Sequence, residues 1–183
     1  MRCAAEVAPV RAEPREDAQQ VTQALLGEPL EVQERREGWA RVVTAYDYPG
    51  WVREDALEEG DGELPPARDG DPVEVARSFL GAPYEWGGLT ERGIDCSGLV
   101  HAAHRRLGRL VPRDSSQQEA AGAPVAEGEL RRGDLVTYGG DVADHVAFWL
   151  GDGRILHAAG EKGVVEEPEP DSLRSRRRKF VRL

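Results

Sequence analysis

The sequence predicts an α+β domain preceded by a small all-β barrel, and three observations carry that prediction. Residues 21–57 alternate short apolar runs with turn residues, as in VTQALLGE, EGWARVV and YPGWV, the cadence of a small barrel. Residues 58–71, EEGDGELPPARDGD, are acidic and rich in Gly and Pro, a composition that stays solvated. Beyond them helical periodicities come first and strand-like runs follow, the order of an α+β domain. The boundaries are therefore drawn at 1–58 for the barrel, 59–71 for a linker and 72–183 for the larger domain.

The elements of the larger domain follow from their caps and spacings. Asp71 caps a helix with Pro72 in its first turn, aiming Val73, Val75, Ala76, Phe79 and Leu80 at a core until Gly81 ends it. A second helix starts at Asp95 or Cys96. Cys96, Leu99, Val100, Ala103 and Leu107 recur at spacings of three and four before Gly108 stops it. Residues 115–121 form a short third helix, and strand-like runs follow at 135–138, 145–150, 154–158 and 180–183. No internal repeat or low-complexity tract interrupts them.

The chain has 183 residues, 39% of them hydrophobic, and a formal net charge of -10. Nucleic-acid and anionic-membrane partners need a broad basic surface, so neither is expected. The one basic run, RSRRRK at 174–179, reads as a strand or solvated edge beside an acidic body. The opening MRCAAEVAPVRAEPRED turns to charge before an apolar stretch of signal-peptide length develops, and the expectation is a cytoplasmic chain. Its two cysteines, Cys3 at a mobile start and Cys96 deep in the chain, suit a reducing compartment. No CxxC pair is present, and no metal or organic cofactor is implied.

The stretch GIDCSGLV at 93–100 holds the candidate chemistry. A thiol in the first turn of a helix faces unpaired N–H groups and the positive end of the macrodipole, which favour a thiolate that alkylates faster than Cys3. Asp95 opposes that ionisation. On these grounds Cys96 reads either as a small buried hydrophobe or as a nucleophile. His101 and His104, three apart on the same helix, read as solvated side chains.

His145 and His157 lie on consecutive strands joined at Gly151-Asp152-Gly153. A two-residue turn would set Phe148 opposite His157 and send the histidines to opposite faces. A three-residue loop sets Ala147 opposite His157 and puts His145 on the diagonal of the same face, about 7 Å away between β-carbons. Gly153 suits the left-handed third position of such a loop, so the three-residue form is expected. If that face packs on the first turn of the Cys96 helix, His145 serves as base and His157 orients it, while helix-start N–H groups, including that of Cys96, line an oxyanion site.

GAPYEWGGLTERGIDCSGLV, followed in order by LVPRDSSQQ, LRRGDLVTY and DHVAFWLGDGRILHA, resembles the NlpC/p60 group of papain-like cysteine peptidases, which cut peptidoglycan stem peptides. The resemblance covers about residues 72–183. It implies a papain-like catalytic domain with Cys96 as nucleophile, His145 as base, His157 as third polar residue and Tyr84 as an oxyanion hydroxyl. The first part, through TQALLGE and YPGW, is similar to the bacterial SH3 domain of dipeptidyl-peptidases that recycle cell-wall peptides. In that group the SH3 domain closes one end of the cleft. The resemblance implies that Glu28 and Asp114 bind a terminal ammonium, that Tyr48 closes that end, and that Asp95, Ser97 and Ser115 line subsites.

The resulting expectation is a cysteine peptidase that hydrolyses the γ-D-glutamyl–diamino acid bond of short murein peptides carrying a free N-terminal L-Ala. Two alternatives are a broader endopeptidase or amidase acting on intact wall, and a non-catalytic murein-peptide-binding protein.

Overall fold

The structure is a computed structural model describing residues 1–183. The chain divides into two compact units, Met1–Pro66 and Ala67–Leu183. No helix is long and apolar enough to cross a membrane.

The first unit is all β. Its strands are β1 (Arg2–Cys3), β2 (Val7–Arg11), β3 (Gln20–Leu25), β4 (Leu30–Arg36), β5 (Trp39–Thr44), β6 (Pro49–Arg53) and β7 (Leu57–Glu58). Five of them form one sheet in the order β3-β2-β6-β5-β4, and β1 pairs with β7. All five contribute to a single core that includes Val10, Ala24, Leu30, Val42 and Val52, so the sheet folds on itself while β3 and β4 stay unpaired with each other. The structure corrects the expected mobile start. Cys3 is fully buried in that core because β1 is held antiparallel to β7.

In the second unit, α1 (Pro72–Arg77) begins as expected, with the Asp71 carboxylate accepting from the Val73 amide at 2.8 Å. Val73, Ala76 and Phe79 enter the core, but Leu80 is 49% exposed because the helix has already ended and the chain is turning toward Gly81. After the short pair β8 (Leu89–Thr90) and β9 (Gly93–Ile94) comes α2 (Cys96–Arg106), then α3 (Ser115–Ala121). The Asp95 carboxylate caps α2 by accepting from the Gly98 amide at 2.6 Å. The Gln117 side chain reaches back to the Asp114 amide at the start of α3, at 3.1 Å.

The remaining strands are β10 (Ala123–Pro124), β11 (Leu135–Gly139), β12 (Ala143–Gly151), β13 (Arg154–Ala159), β14 (Gly163–Pro168) and, after the short α4 (Asp171–Arg174), β15 (Arg177–Arg182). They form a six-stranded sheet in the order β10-β15-β11-β12-β13-β14. One face carries Leu135, Val146, Phe148, Leu156, Ala158 and Val164 against the Leu99–Val100 stripe of α2. The opposite face carries Val136, Tyr138, Ala147 and Ile155 in a smaller cluster with Leu173. The basic run occupies α4 and β15, where Arg177, Arg178 and Arg182 pair with Glu169, Glu119 and Asp134.

The β12–β13 hairpin corrects the expected loop while keeping its consequence. The turn is the two-residue form at Asp152-Gly153, both at positive φ (51° and 70°), and Gly151 pairs with Arg154. A bulge at Leu150 absorbs one residue, so the strands pair as Phe148↔Leu156 and Trp149↔Ile155. That is the register a three-residue loop would have produced.

Candidate active site

Cys96 opens α2, with its thiol receiving backbone N–H groups from Val146 of β12 and Ser97. The Val146 amide directly follows His145, so the sulfur lies where β12 presents His145. The imidazoles of His145 and His157 share a face, and His145 Nε2 lies 2.8 Å from His157 Nδ1 with the rings edge-on. That face is the one opposite Val146 and Phe148. The expected packing of the histidine face on the first turn of α2 is therefore corrected. Alternation sends Val146 and Phe148 to the helix, and the sulfur meets the strand at its backbone instead. Beneath His145 lies the Tyr138 ring, 5.7 Å between centroids.

His157 Nε2 lies 3.1 Å from Glu167 Oε1 on β14, and Glu167 Oε2 lies 2.5 Å from the Lys162 ammonium. Burial pulls the Glu167 carboxyl upward, but the hydrogen bonds from Lys162 and His157 outweigh it and hold the group below its ordinary range. His145, His157, Lys162 and Glu167 line a pocket of 460 Å³ together with Asp144, Leu173 and Arg176.

Asp95 is the hub of the helix start. Its carboxylate accepts from the amides of Gly87 and Gly98 at 2.7 and 2.6 Å, and from the Arg113 guanidinium at 2.9 and 2.7 Å in a two-pronged pair. Arg113, only 1% exposed, also donates to Ser97 Oγ at 3.0 Å. Gln118 Nε2 donates to the carbonyls of Ser97 and Pro112, tying α3 to the start of α2. Gly98 allows a close approach, since a β-carbon there would stand 2.3 Å from the Gly88 carbonyl oxygen.

Burial pushes the Cys96 thiol up to about 12, with the Asp95 charge adding to it against the opposing pull of the two amides and Arg113. Burial, helped by His157, pushes His145 down to about 3. Burial therefore works against the helix-start donors at Cys96, and it raises the Cys3 thiol as well.

Of the other predicted residues, Tyr84 packs against the α2 core, close enough to Cys96 and Asp95 for both charges to act on it. Burial first, then those two charges, raise its hydroxyl to about 12, so it stays a proton donor at neutral pH. Ser97 is held between Asp95 and Arg113. The Ser115 hydroxyl donates to the Ala143 carbonyl at 3.0 Å and anchors α3 to β12. Asp114 begins α3. In the other unit, the Glu28 carboxylate accepts from the Leu25 amide at 2.6 Å, and the Tyr48 amide donates to Thr44 Oγ1 at 3.1 Å. His101 and His104 are buried rather than solvated, each with Nδ1 against a backbone carbonyl, Val111 at 2.7 Å and Val100 at 2.9 Å. Sequence reasoning missed Arg113, Gln118 and Glu167. The period-two alternation of GVVEEP would have put Glu167 on the face of His157.

The profile of the NlpC/P60 family matches residues 81–180, and that of the bacterial dipeptidyl-peptidase SH3 domain matches residues 10–57. Over 132 residues the chain is 31% identical to a gamma-D-glutamyl-L-lysine dipeptidyl-peptidase of Bacillus cereus, covering 69% of this chain and 40% of that protein. Over 127 residues it is 38% identical to the peptidoglycan endopeptidase RipB of Mycobacterium tuberculosis, covering 60% and 53%. The crystal structure of an NlpC/P60 family protein from Bacillus cereus superposes with a TM-score of 0.60 at 25% identity, over 99% of this chain and 62% of that one. The chain thus spans about 40% and 53% of the length of the two curated relatives. The matched span holds both the cysteine that opens α2 and the histidine-bearing hairpin, and the chain belongs to the NlpC/P60 family, with an SH3 domain of the bacterial dipeptidyl-peptidase type ahead of the catalytic-type fold.

Proposed function

We propose that the protein is a cysteine peptidase of murein peptides, hydrolysing the γ-D-glutamyl–diamino acid bond of short peptides with a free N-terminal L-Ala in cell-wall peptide recycling. The supporting observation is the meeting of the Cys96 thiol with the Val146 amide, beside a His145 whose far nitrogen is engaged by His157. His145 removes the thiol proton as sulfur attacks the γ-carbonyl carbon. The Tyr84 hydroxyl and the Cys96 amide donate to the oxyanion. Collapse breaks the C–N bond, with the proton passing from imidazolium to the leaving amine and a thioester left on Cys96. Water then attacks the thioester, gives its proton to His145, and releases the dipeptide and the thiol.

A second reading, an endopeptidase of intact wall, is favoured by the 38% identity to RipB. Incubation with free L-Ala-γ-D-Glu-diamino acid tripeptide, its N-acetylated form and intact sacculi separates the two. Release of L-Ala-γ-D-Glu from the free tripeptide alone supports the recycling reading, whereas unchanged kcat/KM on the acetylated peptide, or fragments from sacculi, supports the second. Cys96→Ala should keep the fold and lose turnover, and residual hydrolysis near the native rate would remove the mechanism.

A further inference from the structure

We infer that Glu167 is a positioning residue: its carboxylate decides, through two linked imidazoles, which nitrogen of His145 is left free to act as base. The inference deepens the cysteine-peptidase reading and rests on it.

The three side chains lie on adjacent strands of one sheet face. Continuing the Phe148↔Leu156 register sets Ala147 across from His157, with His145 two residues before it. On the other side His157 pairs with Val165, and Glu167 stands two residues beyond. β12 and β14 both run antiparallel to β13, so His145, His157 and Glu167 form a diagonal across three strands. The hydrogen bonds follow it: Glu167 Oε1 to His157 Nε2 at 3.1 Å, and His157 Nδ1 to His145 Nε2 at 2.8 Å.

Donor and acceptor roles along this line are forced. An ionised carboxylate only accepts, so His157 Nε2 carries the proton. A neutral His157 then has a bare Nδ1, which must accept, so His145 Nε2 is the donor. A neutral His145 is left with a bare Nδ1. That is the ring nitrogen nearer its own backbone, and the amide that follows His145 in the chain, that of Val146, is the one that meets the Cys96 sulfur. Burial keeps both imidazoles neutral near pH 7, consistent with this assignment.

Lys162 sharpens the test. Its ammonium, a donor only, is engaged by Glu167 Oε2. In the Glu167→Gln variant the lysine retains the amide oxygen, and the amide N–H group turns to His157 Nε2, which must now accept. His157 Nδ1 becomes protonated, His145 Nε2 accepts, and His145 Nδ1 meets the thiol already carrying a proton. A wrongly tautomerised base loses most of general-base catalysis, so kcat should fall about 100-fold or more while KM stays within about threefold. Adding Lys162→Met to this variant lets the amide rotate its oxygen back to His157, and kcat should recover about tenfold. The same Lys162→Met change beside the native carboxylate should not raise kcat. A merely structural role for Glu167 produces no such reversal.

Glu167 is partly exposed on β14, with 20% of its side-chain surface accessible, so the variant should fold. Long-range proton–nitrogen NMR of the imidazoles reads the tautomers without substrate. Protonated Nε2 on both His145 and His157 in the native protein, inverted to Nδ1 in Glu167→Gln, is the expected result. A native His145 protonated at Nδ1, or a Glu167→Gln variant with native tautomers and native kcat, overturns the inference. Turnover that survives Cys96→Ala overturns the peptidase reading instead, and leaves the tautomer result standing on its own.

Discussion

Replacing Arg113 with Met removes the cation from a pair that is almost wholly out of water, with side-chain exposures of 1% for Arg113 and 8% for Asp95. Breaking a buried pair from one side costs about 3–5 kcal/mol, since the remaining charge is left uncompensated. Here Asp95 keeps the Gly87 and Gly98 amides and the Ser97 hydroxyl, which argues for the lower end, about 3 kcal/mol. For a protein of this size that corresponds to a fall in Tm of roughly 6–12 °C. Differential scanning calorimetry is the assay. Asp95→Asn in the same chain should recover more than half of the loss, since it removes the stranded charge and retains a good helix cap. A single Arg113→Met variant whose C-terminal unit melts within about 2 °C of native would refute the reasoning.

Tyr84→Phe removes one oxyanion donor and should lower kcat by about 10²–10³ with little change in KM, measured on the free tripeptide; equal losses in both substrate affinity and rate would argue for packing instead. Gly98→Ala drives a methyl into the Gly88 carbonyl, so the variant should lose about 1–3 kcal/mol in urea unfolding, and a native midpoint would contradict the close approach. His101, fully buried, has its pKa lowered to about 3 chiefly by burial, so its contribution is complete above the unfolded value near 6.5 and is lost as pH falls toward the folded value. Between pH 7.5 and 5.5 this one group should cost on the order of 1 kcal/mol of stability, and urea midpoints that stay level or rise over that interval would count against it.

The helices were legible in the sequence where a cap and a period coincided. Asp71-Pro72 and Asp95-Cys96 each place a side-chain acceptor one residue ahead of an apolar stripe, and α1 and α2 begin there, whereas α3 follows Asp114 with a polar sequence, SSQQEAA. β14 was hidden because GVVEEP lies beside a glycine-rich turn and ends in Pro, and β2 because VAPVR sits among charges. The face shared by His145 and His157 was legible from period two, but the bulge was not, since Leu150 carries no mark that separates it from an ordinary strand residue. Arg113 and Glu167 read in one dimension as surface charges. Their meaning depends on partners 18 and 10 residues away, joined only once the sheet and the helix start are assembled.

The bulge at Leu150 uncouples the two ends of the hairpin. An odd residue inserted near the tip is taken up by a local kink, so the far end keeps its phase and the histidines stay on speaking terms. Deleting Leu150 would leave Trp149 facing Ile155 beside a plain two-residue turn. A change of length at this tip can therefore be absorbed without disturbing His145, five residues before the bulge, which makes the tip the natural place to graft a tag or a longer loop.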